Sequence, residues 1–200
     1  MDWLRRSRLP GDASVVTSLP DAVEFRHRDT TRWRSWFLEA AELVVRATPP
    51  SQAAIFYQTD VKRDGRWIDK GFLVQLAAEA AGAHLVWHKI VCRAPAGQAT
   101  HGRPGYAHLL CVSATLRDAG ERATADVLPE LGAMTWARAM GLAAARAAVE
   151  WLRDHAGAGC IVDPFCGVGT ALAVANAAGL AAIGVERNPG RAAKARTLRL

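Results

Sequence analysis

Short apolar runs alternate with longer amphipathic segments along the whole chain of 200 residues. The short runs have the length and composition of buried strands, whereas the longer segments repeat apolar residues at helical spacing. Such alternation is typical of an α/β domain in which helices cover a mostly parallel, doubly wound Rossmann-like sheet. The predicted strands are 13–18, 53–58, 84–91, 106–114, 160–163 and 181–186, and the predicted helices are 31–47, 67–81, 135–155 and 170–178.

Strands 84–91 and 106–114 follow one another with only a loop rich in Gly and Pro between them. Because no helix separates them, we expect an antiparallel pair at one edge of the sheet. Residues 116–134 are polar and irregular, and we interpret them as a segment crossing between the halves 1–115 and 135–200. The length suits one domain with one core, so we predict a single domain over 1–200.

Composition excludes several classes of protein. The basic opening segment is followed by no apolar leader core, and no run approaches the roughly 18 to 20 apolar residues of a membrane span. The four cysteines have no CxxC spacing, which predicts buried reduced thiols and no metal site. We therefore expect a cytoplasmic protein.

The formal net charge of +6 favours an anionic partner, most obviously nucleic acid. Two groups of cations stand among tryptophans, which offer stacking faces for bases while the cations neutralise phosphates. The candidates for phosphate contact are Arg28, Arg32, Arg34, Lys62, Arg63 and Arg66.

A glycine turn joins the strand at 160–163 to the helix that follows it. Glycines let backbone amides approach a ligand closely, and an acid about 20 residues later can bind a ribose. Gly167 and Gly169 form the turn, and Asp163 and Glu186 occupy the two acidic stations, so the unit is suited to an adenosine-containing cofactor. Leu172 stands where the dinucleotide fingerprint requires its third glycine, and an acid at the turn suits a ligand with an ammonium group, as in S-adenosylmethionine. A tight turn without a ligand is the structural alternative.

The segment VDPFCGVGT, followed by IGVERN, resembles the cofactor motif of the amino-methyltransferases that act on exocyclic nitrogens of bases. The resemblance covers residues 160–190 and implies S-adenosyl-L-methionine as cofactor. The cofactor-binding residues that it implies are Asp163, Phe165, Cys166, Gly167, Gly169, Thr170, Glu186 and Asn188.

The cofactor motif stands at an unusual place in the chain. Class I methyltransferases usually begin with this unit and need several strands after it, but only fourteen residues follow Glu186. The strands upstream must then complete the sheet, as in the circularly permuted β-class enzymes. This order predicts that strand 13–18 lies parallel to and directly beside strand 160–163.

Permutation places the reaction loop at the end of the first strand, where Ser18, Leu19, Pro20 and Asp21 stand. The loop resembles a variant of the family's Asp/Asn/Ser-Pro-Pro-Tyr/Phe motif, in which Leu19 replaces a proline and Asp21 replaces the aromatic residue. The resemblance implies that the loop grips the target nitrogen. Asp21 is either a proton or hydrogen-bond acceptor for the substrate, or a cap of the local turn.

These observations predict an S-adenosylmethionine-dependent methyltransferase acting on a base nitrogen in nucleic acid. Methylation of carbon would need an activated cysteine at the base, and Cys166 belongs to the cofactor turn. Structured RNA, such as tRNA or rRNA, is favoured over DNA because no segment has the size of a DNA target-recognition domain. A small-molecule methyltransferase and a non-catalytic cofactor-binding scaffold are the alternatives.

Overall fold

The computed structural model describes residues 1–22, 29–118 and 124–200. Within them the strands are β1 (Ala13–Thr17), β2 (Ala54–Gln58), β3 (Val61–Arg63), β4 (Arg66–Ile68), β5 (His84–Cys92), β6 (Tyr106–Ser113), β7 (Val127–Leu128), β8 (Cys160–Asp163) and β9 (Ala181–Gly184). The helices are α1 (Asp2–Arg6), α2 (Thr30–Ala47), α3 (Lys70–Ala80), α4 (Leu142–His155), α5 (Thr170–Ala177) and α6 (Pro189–Thr197).

Seven of these strands form one sheet in the order β7-β5-β6-β2-β1-β8-β9. All neighbours are parallel except those of β6, which runs antiparallel to both β2 and β5. Helices α2 and α3 pack on one face, where Trp33 and Phe37 are fully buried, and α4 and α5 pack on the other, around Trp151 and Leu152. The predicted α/β class is therefore confirmed.

The first strand and the cofactor strand are direct neighbours, as predicted. Strands β1 and β8 pair in parallel, with Ala13 opposite Cys160 and Val15 opposite Val162. Parallel strands end at the same edge of a sheet, which we call the carboxyl edge. The segments that follow β1, β2, β5, β8 and β9 all leave the sheet there.

Two helix predictions are wrong at their starts. The helix predicted over 135–155 begins at Leu142, because Gly141 lies against the carbonyl of Leu131, and the amide of Leu142 donates to the carbonyl of Ala133. The helix predicted over 67–81 begins at Lys70.

A hairpin of β3 and β4 precedes α3, in place of the predicted first helical turn. It closes at Asp64 and Gly65, both with positive φ, which is the conformation of a tight hairpin turn. The first residue of α3 instead follows Asp69, whose carboxylate accepts the amide of Phe72 as an N-cap.

The antiparallel pair does not form the edge of the sheet. The segment 116–134, predicted to be irregular, contributes the short strand β7, which pairs in parallel with β5 outside the pair. Helices α1 and α6 were also missed by the sequence pattern. No helix in the described parts of the chain is long and apolar enough to cross a membrane.

Candidate active site

One cavity of about 1090 Å³ opens at the carboxyl edge of the sheet. It is bordered by the segments that follow β1, β2, β5, β8 and β9, and by residues 134–140 before α4. The reaction loop and most of the predicted cofactor residues share it. Those that line it are Ser18, Leu19, Pro20, Asp21, Arg32, Asp163, Phe165, Cys166, Gly167, Thr170, Glu186 and Asn188.

The other predicted site residues lie elsewhere. Gly169 begins α5 with φ 84°, and a Cβ there would stand 2.9 Å from Ala195, so this glycine serves the packing of α6. Arg28 lies outside the described residues. Four further cations are at the surface and do not line the cavity: Arg34, Lys62, Arg63 and Arg66.

A buried hydrogen bond joins the two halves of the site. The Thr17 hydroxyl donates to Oδ1 of Asp163 at 2.7 Å, across the β1–β8 pair. The Phe165 amide donates to the same oxygen at 3.0 Å. Burial raises the pKa of Asp163 to about 7 despite these two hydrogen bonds, and the nearby Glu186 carboxylate adds to the rise. A ligand cation beside Asp163 would therefore stabilise its charged form.

Glu186 is held at the rim of the cavity by its own turn. Its carboxylate accepts the amide of Asn188 at 2.6 Å, while the Asn188 side chain caps α6 by accepting the amide of Arg191 at 3.0 Å. Two backbone hydrogen bonds continue the β8–β9 pairing up to this turn. The Val185 amide donates to the Asp163 carbonyl, and the Cys166 amide donates to the Val185 carbonyl. The second acidic station is thus fixed in place relative to the first.

Trp136 covers the glycine turn. A Cβ on Gly167, which has φ 55°, would lie 3.3 Å from the Trp136 ring, and the Arg191 guanidinium stacks on that ring with its carbon 5.0 Å from the centroid. The Thr135 and Thr170 hydroxyls are hydrogen-bonded beside it. Trp136 falls within the helix predicted over 135–155, so this wall of the cavity was missed.

Cys166 is not equipped as a nucleophile. Burial raises the pKa of its thiol to about 12, and the carboxylates of Asp163 and Glu186 contribute to the rise. A thiol held protonated at neutral pH cannot attack a base carbon.

Asp21 in the reaction loop is paired with two cations. Its carboxylate binds the Lys70 ammonium through one oxygen and the Arg103 guanidinium, at 3.2 Å, through the other. The Lys70 side chain is 3% exposed, and burial lowers the pKa of Lys70 against the attraction of Asp21. The Pro20 carbonyl accepts the Trp33 indole N–H at 3.1 Å, which ties the loop to α2.

Sequence reasoning missed Arg103, Tyr57 and Arg93, which line the cavity together with Lys70. All four follow or end strands β2 and β5. The available signal was the strand order: if β2 and β5 run parallel to β1, their carboxyl ends lie at the same edge of the sheet, and the residues that follow them face the same site.

No protein-family model and no curated protein matches this sequence. Solved structures do. The PvuII DNA methyltransferase, specific for cytosine N4, superimposes with a TM-score of 0.75 at 15% identity, over 98% of this chain and 82% of that chain. The chain has the class I methyltransferase fold.

Two further structures have the same fold. The Thermus thermophilus protein TTHA0409, which bears the name of a DNA modification methylase, was solved with S-adenosyl-L-methionine and matches with a TM-score of 0.72 at 18% identity, over 97% of this chain and 87% of that chain. The M1.HpyAVI–SAM complex superimposes with a TM-score of 0.61 at 12% identity, over 98% of this chain and 91% of that chain. At these identities the likeness establishes the fold, and function must come from the site.

Proposed function

We propose that the chain is an S-adenosylmethionine-dependent methyltransferase that modifies a base nitrogen in DNA. The observation that carries the proposal is the Thr17–Asp163 hydrogen bond, which joins the last residues of β1 and β8, the strands from which the reaction loop and the glycine turn enter one cavity. Methyl transfer by direct displacement requires chiefly that nucleophile and methyl group be aligned away from water. A crevice between two neighbouring parallel strand ends meets this requirement.

The residues at the glycine turn fit the cofactor. Asp163 offers a buried carboxylate to an ammonium group, and Glu186 offers two acceptor oxygens to ribose hydroxyls. Trp136 and Phe165 add aromatic surface to the same cavity. When bound, S-adenosylmethionine supplies a methyl group activated by its sulfonium.

Ser18 and the backbone of the reaction loop receive the target amino group in this proposal. Asp21 holds the loop instead of accepting a proton, because its two carboxylate oxygens are occupied by Lys70 and Arg103. A methylated base ammonium is a strong acid, so water suffices to take its proton.

Electrostatics favours a polyanionic substrate. Among the described residues, seven cationic side chains and four carboxylates line the cavity. The hairpin of β3 and β4 leaves the same carboxyl edge and carries Lys62, Arg63 and Arg66. These charges are placed to neutralise phosphates around a base that enters the cavity.

DNA replaces RNA as the proposed substrate. The preference for RNA was based on the missing recognition domain, and the comparisons give it no support. Two of the matched structures are named for DNA although this chain already spans 82% and 87% of their lengths. The swapped order of reaction and cofactor motifs belongs to the same proposal: Ser18 comes 145 positions before Asp163.

The test is transfer of labelled methyl from S-adenosylmethionine to DNA, to RNA and to a metabolite extract, with Arg153→Ala as a control variant. Arg153 is a surface residue near the end of α4, at the sheet edge opposite the cavity. We expect label in DNA, lost in Ser18→Ala and retained in Arg153→Ala. Label confined to RNA or small molecules would contradict the proposed substrate, and cofactor binding without any transfer would indicate a scaffold.

A further inference from the structure

Three side chains with metal-binding atoms converge beneath the start of α3, outside the cavity. They are Asp60, after β2; Asp69, the N-cap of α3; and His108, in β6. One ligand atom from each lies within 4.8 Å of the others. The His108 Nε2 atom is 3.0 Å from Oδ1 of Asp60 and 4.0 Å from Oδ1 of Asp69.

The His108 imidazole directs its Nε2 atom toward the two carboxylates of this cluster. The residue is 5% exposed, and among the described residues Nε2 approaches Oδ1 of Asp60 at 3.0 Å without the geometry of a normal hydrogen bond. Its other nitrogen, Nδ1, lies 2.9 Å from Nε2 of His88. An Nδ1–H that donates to His88 leaves a lone pair on Nε2 facing two carboxylates. The lone pair and the two carboxylates repel one another when no ion is present, and their arrangement becomes favourable when a cation lies between them.

A second buried group beside the cluster also lacks partners. Gln58 is 1% exposed, and neither atom of its side-chain amide has a hydrogen-bond partner among the described residues. It stands directly opposite His108 in the β2–β6 pair, on the same face of the sheet. A buried amide without partners is costly, so this layer is incomplete with protein side chains alone.

The Asp60 carboxylate is already oriented as a ligand. The Lys70 amide donates to its Oδ1 and the Trp67 indole donates to its Oδ2, each at 2.8 Å. Hydrogen bonds of this kind fix ligand carboxylates in metal sites. Asp69 has 54% of its side chain exposed and can close the longer distance by a small rotation.

We propose that Asp60, Asp69 and His108 bind one divalent metal ion of the Zn²⁺ or Mn²⁺ type. One imidazole and two carboxylates suit such ions. Ligand distances of about 2.0 to 2.2 Å fit donor atoms spaced as these are. The ion would tie β2, β6 and α3 together, and through Lys70 it would steady the contact with Asp21. The proposal is independent of methyl transfer.

The experiment is calorimetric titration of Zn²⁺ and, separately, Mn²⁺ into the full chain, accompanied by thermal unfolding with and without each ion. The Mn²⁺ titration separates binding at this site from binding by the four cysteine thiols, because thiols prefer Zn²⁺. The informative variants are Asp69→Asn and Asp69→Ser, because both residues still cap α3 while removing the charged ligand. Asp64→Asn at the hairpin tip removes the same charge from an exposed position and is the matched control.

We expect one ion per chain, an affinity at least about tenfold lower in both Asp69 variants, and an ion-dependent rise in Tm that only those variants lose. The Asp64→Asn protein should bind as the wild type does. Absence of 1:1 binding by both ions, or equal affinity in the Asp69 and Asp64 variants, would overturn the site.

Discussion

We predict that the Asp163 carboxyl makes cofactor binding dependent on pH near neutrality. Its pKa of about 7 lies roughly three units above the ordinary value of 3.8, with burial as the main cause. Between these values the folded chain holds a proton that the unfolded chain has released. Asp163 therefore favours folding at low pH, and this contribution is lost as the pH rises from about 4 to about 7, by about 4 kcal/mol in total.

A cofactor ammonium group beside Asp163 would favour the ionised carboxylate. Below pH 7 binding should then release a proton, and affinity should fall about tenfold for each further unit of acidification. Between pH 7.5 and pH 6 we expect S-adenosylmethionine to bind roughly eightfold more weakly. Above about pH 8 the cofactor's own amino group loses its charge, so affinity should decline again.

Calorimetry at several pH values, in two buffers of different ionisation enthalpy, measures both the affinity and the protons released. Asp163→Asn is the matched control, because its amide oxygen can still accept from Thr17 and from the Phe165 amide. The variant should bind more weakly and lose the dependence between pH 6 and 7.5. A wild-type affinity that is flat over this range, or an equal slope in the variant, would refute the reasoning.

The same cavity leads to three other predictions. Glu186→Gln should weaken cofactor binding about 10- to 100-fold, since charged hydrogen bonds are each worth about 1.5 to 3 kcal/mol, whereas Glu150→Gln on α4 should leave the calorimetric affinity unchanged. Lys70→Met and Asp21→Asn should each lower Tm, and the double variant should recover part of the loss, because Asp21→Asn leaves the buried Lys70 ammonium without its carboxylate and Lys70→Met removes one of the two cations paired with Asp21; strictly additive losses would contradict the pairing. The Michaelis constant for DNA should rise steeply with salt, and Arg63→Ala with Arg66→Ala should reduce that slope while Arg153→Ala does not; an unaffected slope would remove the hairpin from the interface.

Local chemistry made the cofactor turn predictable from the sequence. Asp163, the glycines and Glu186 lie in a strand, turn, helix, strand and following turn within the 27 consecutive positions 160–186, so local spacing indicates the geometry. The pairing of β1 with β8 was also predictable, because a βαβ unit cannot bury its sheet alone.

The rest of the cavity depends on contacts between distant segments. Trp136 has helical spacing with the apolar residues that follow it. Because Gly141 packs against Leu131, however, the helix begins only at Leu142 and does not include Trp136. Lys70 looks like a solvated helix residue in the sequence, and its burial depends on a carboxylate partner, Asp21, that stands 49 positions earlier. The Asp64-Gly65 pair is a local indication of a hairpin turn. It was overlooked because the residues after it, 67–81, have helical spacing.

The decisive measurement is nucleoside analysis of DNA that has been incubated with this protein and labelled S-adenosylmethionine. The assignment of the cavity, together with a Cys166 thiol whose pKa is raised to about 12, predicts label on an exocyclic base nitrogen, as N4-methylcytosine or N6-methyladenine. Label recovered as 5-methylcytosine, or its absence from every nucleoside, would contradict the account.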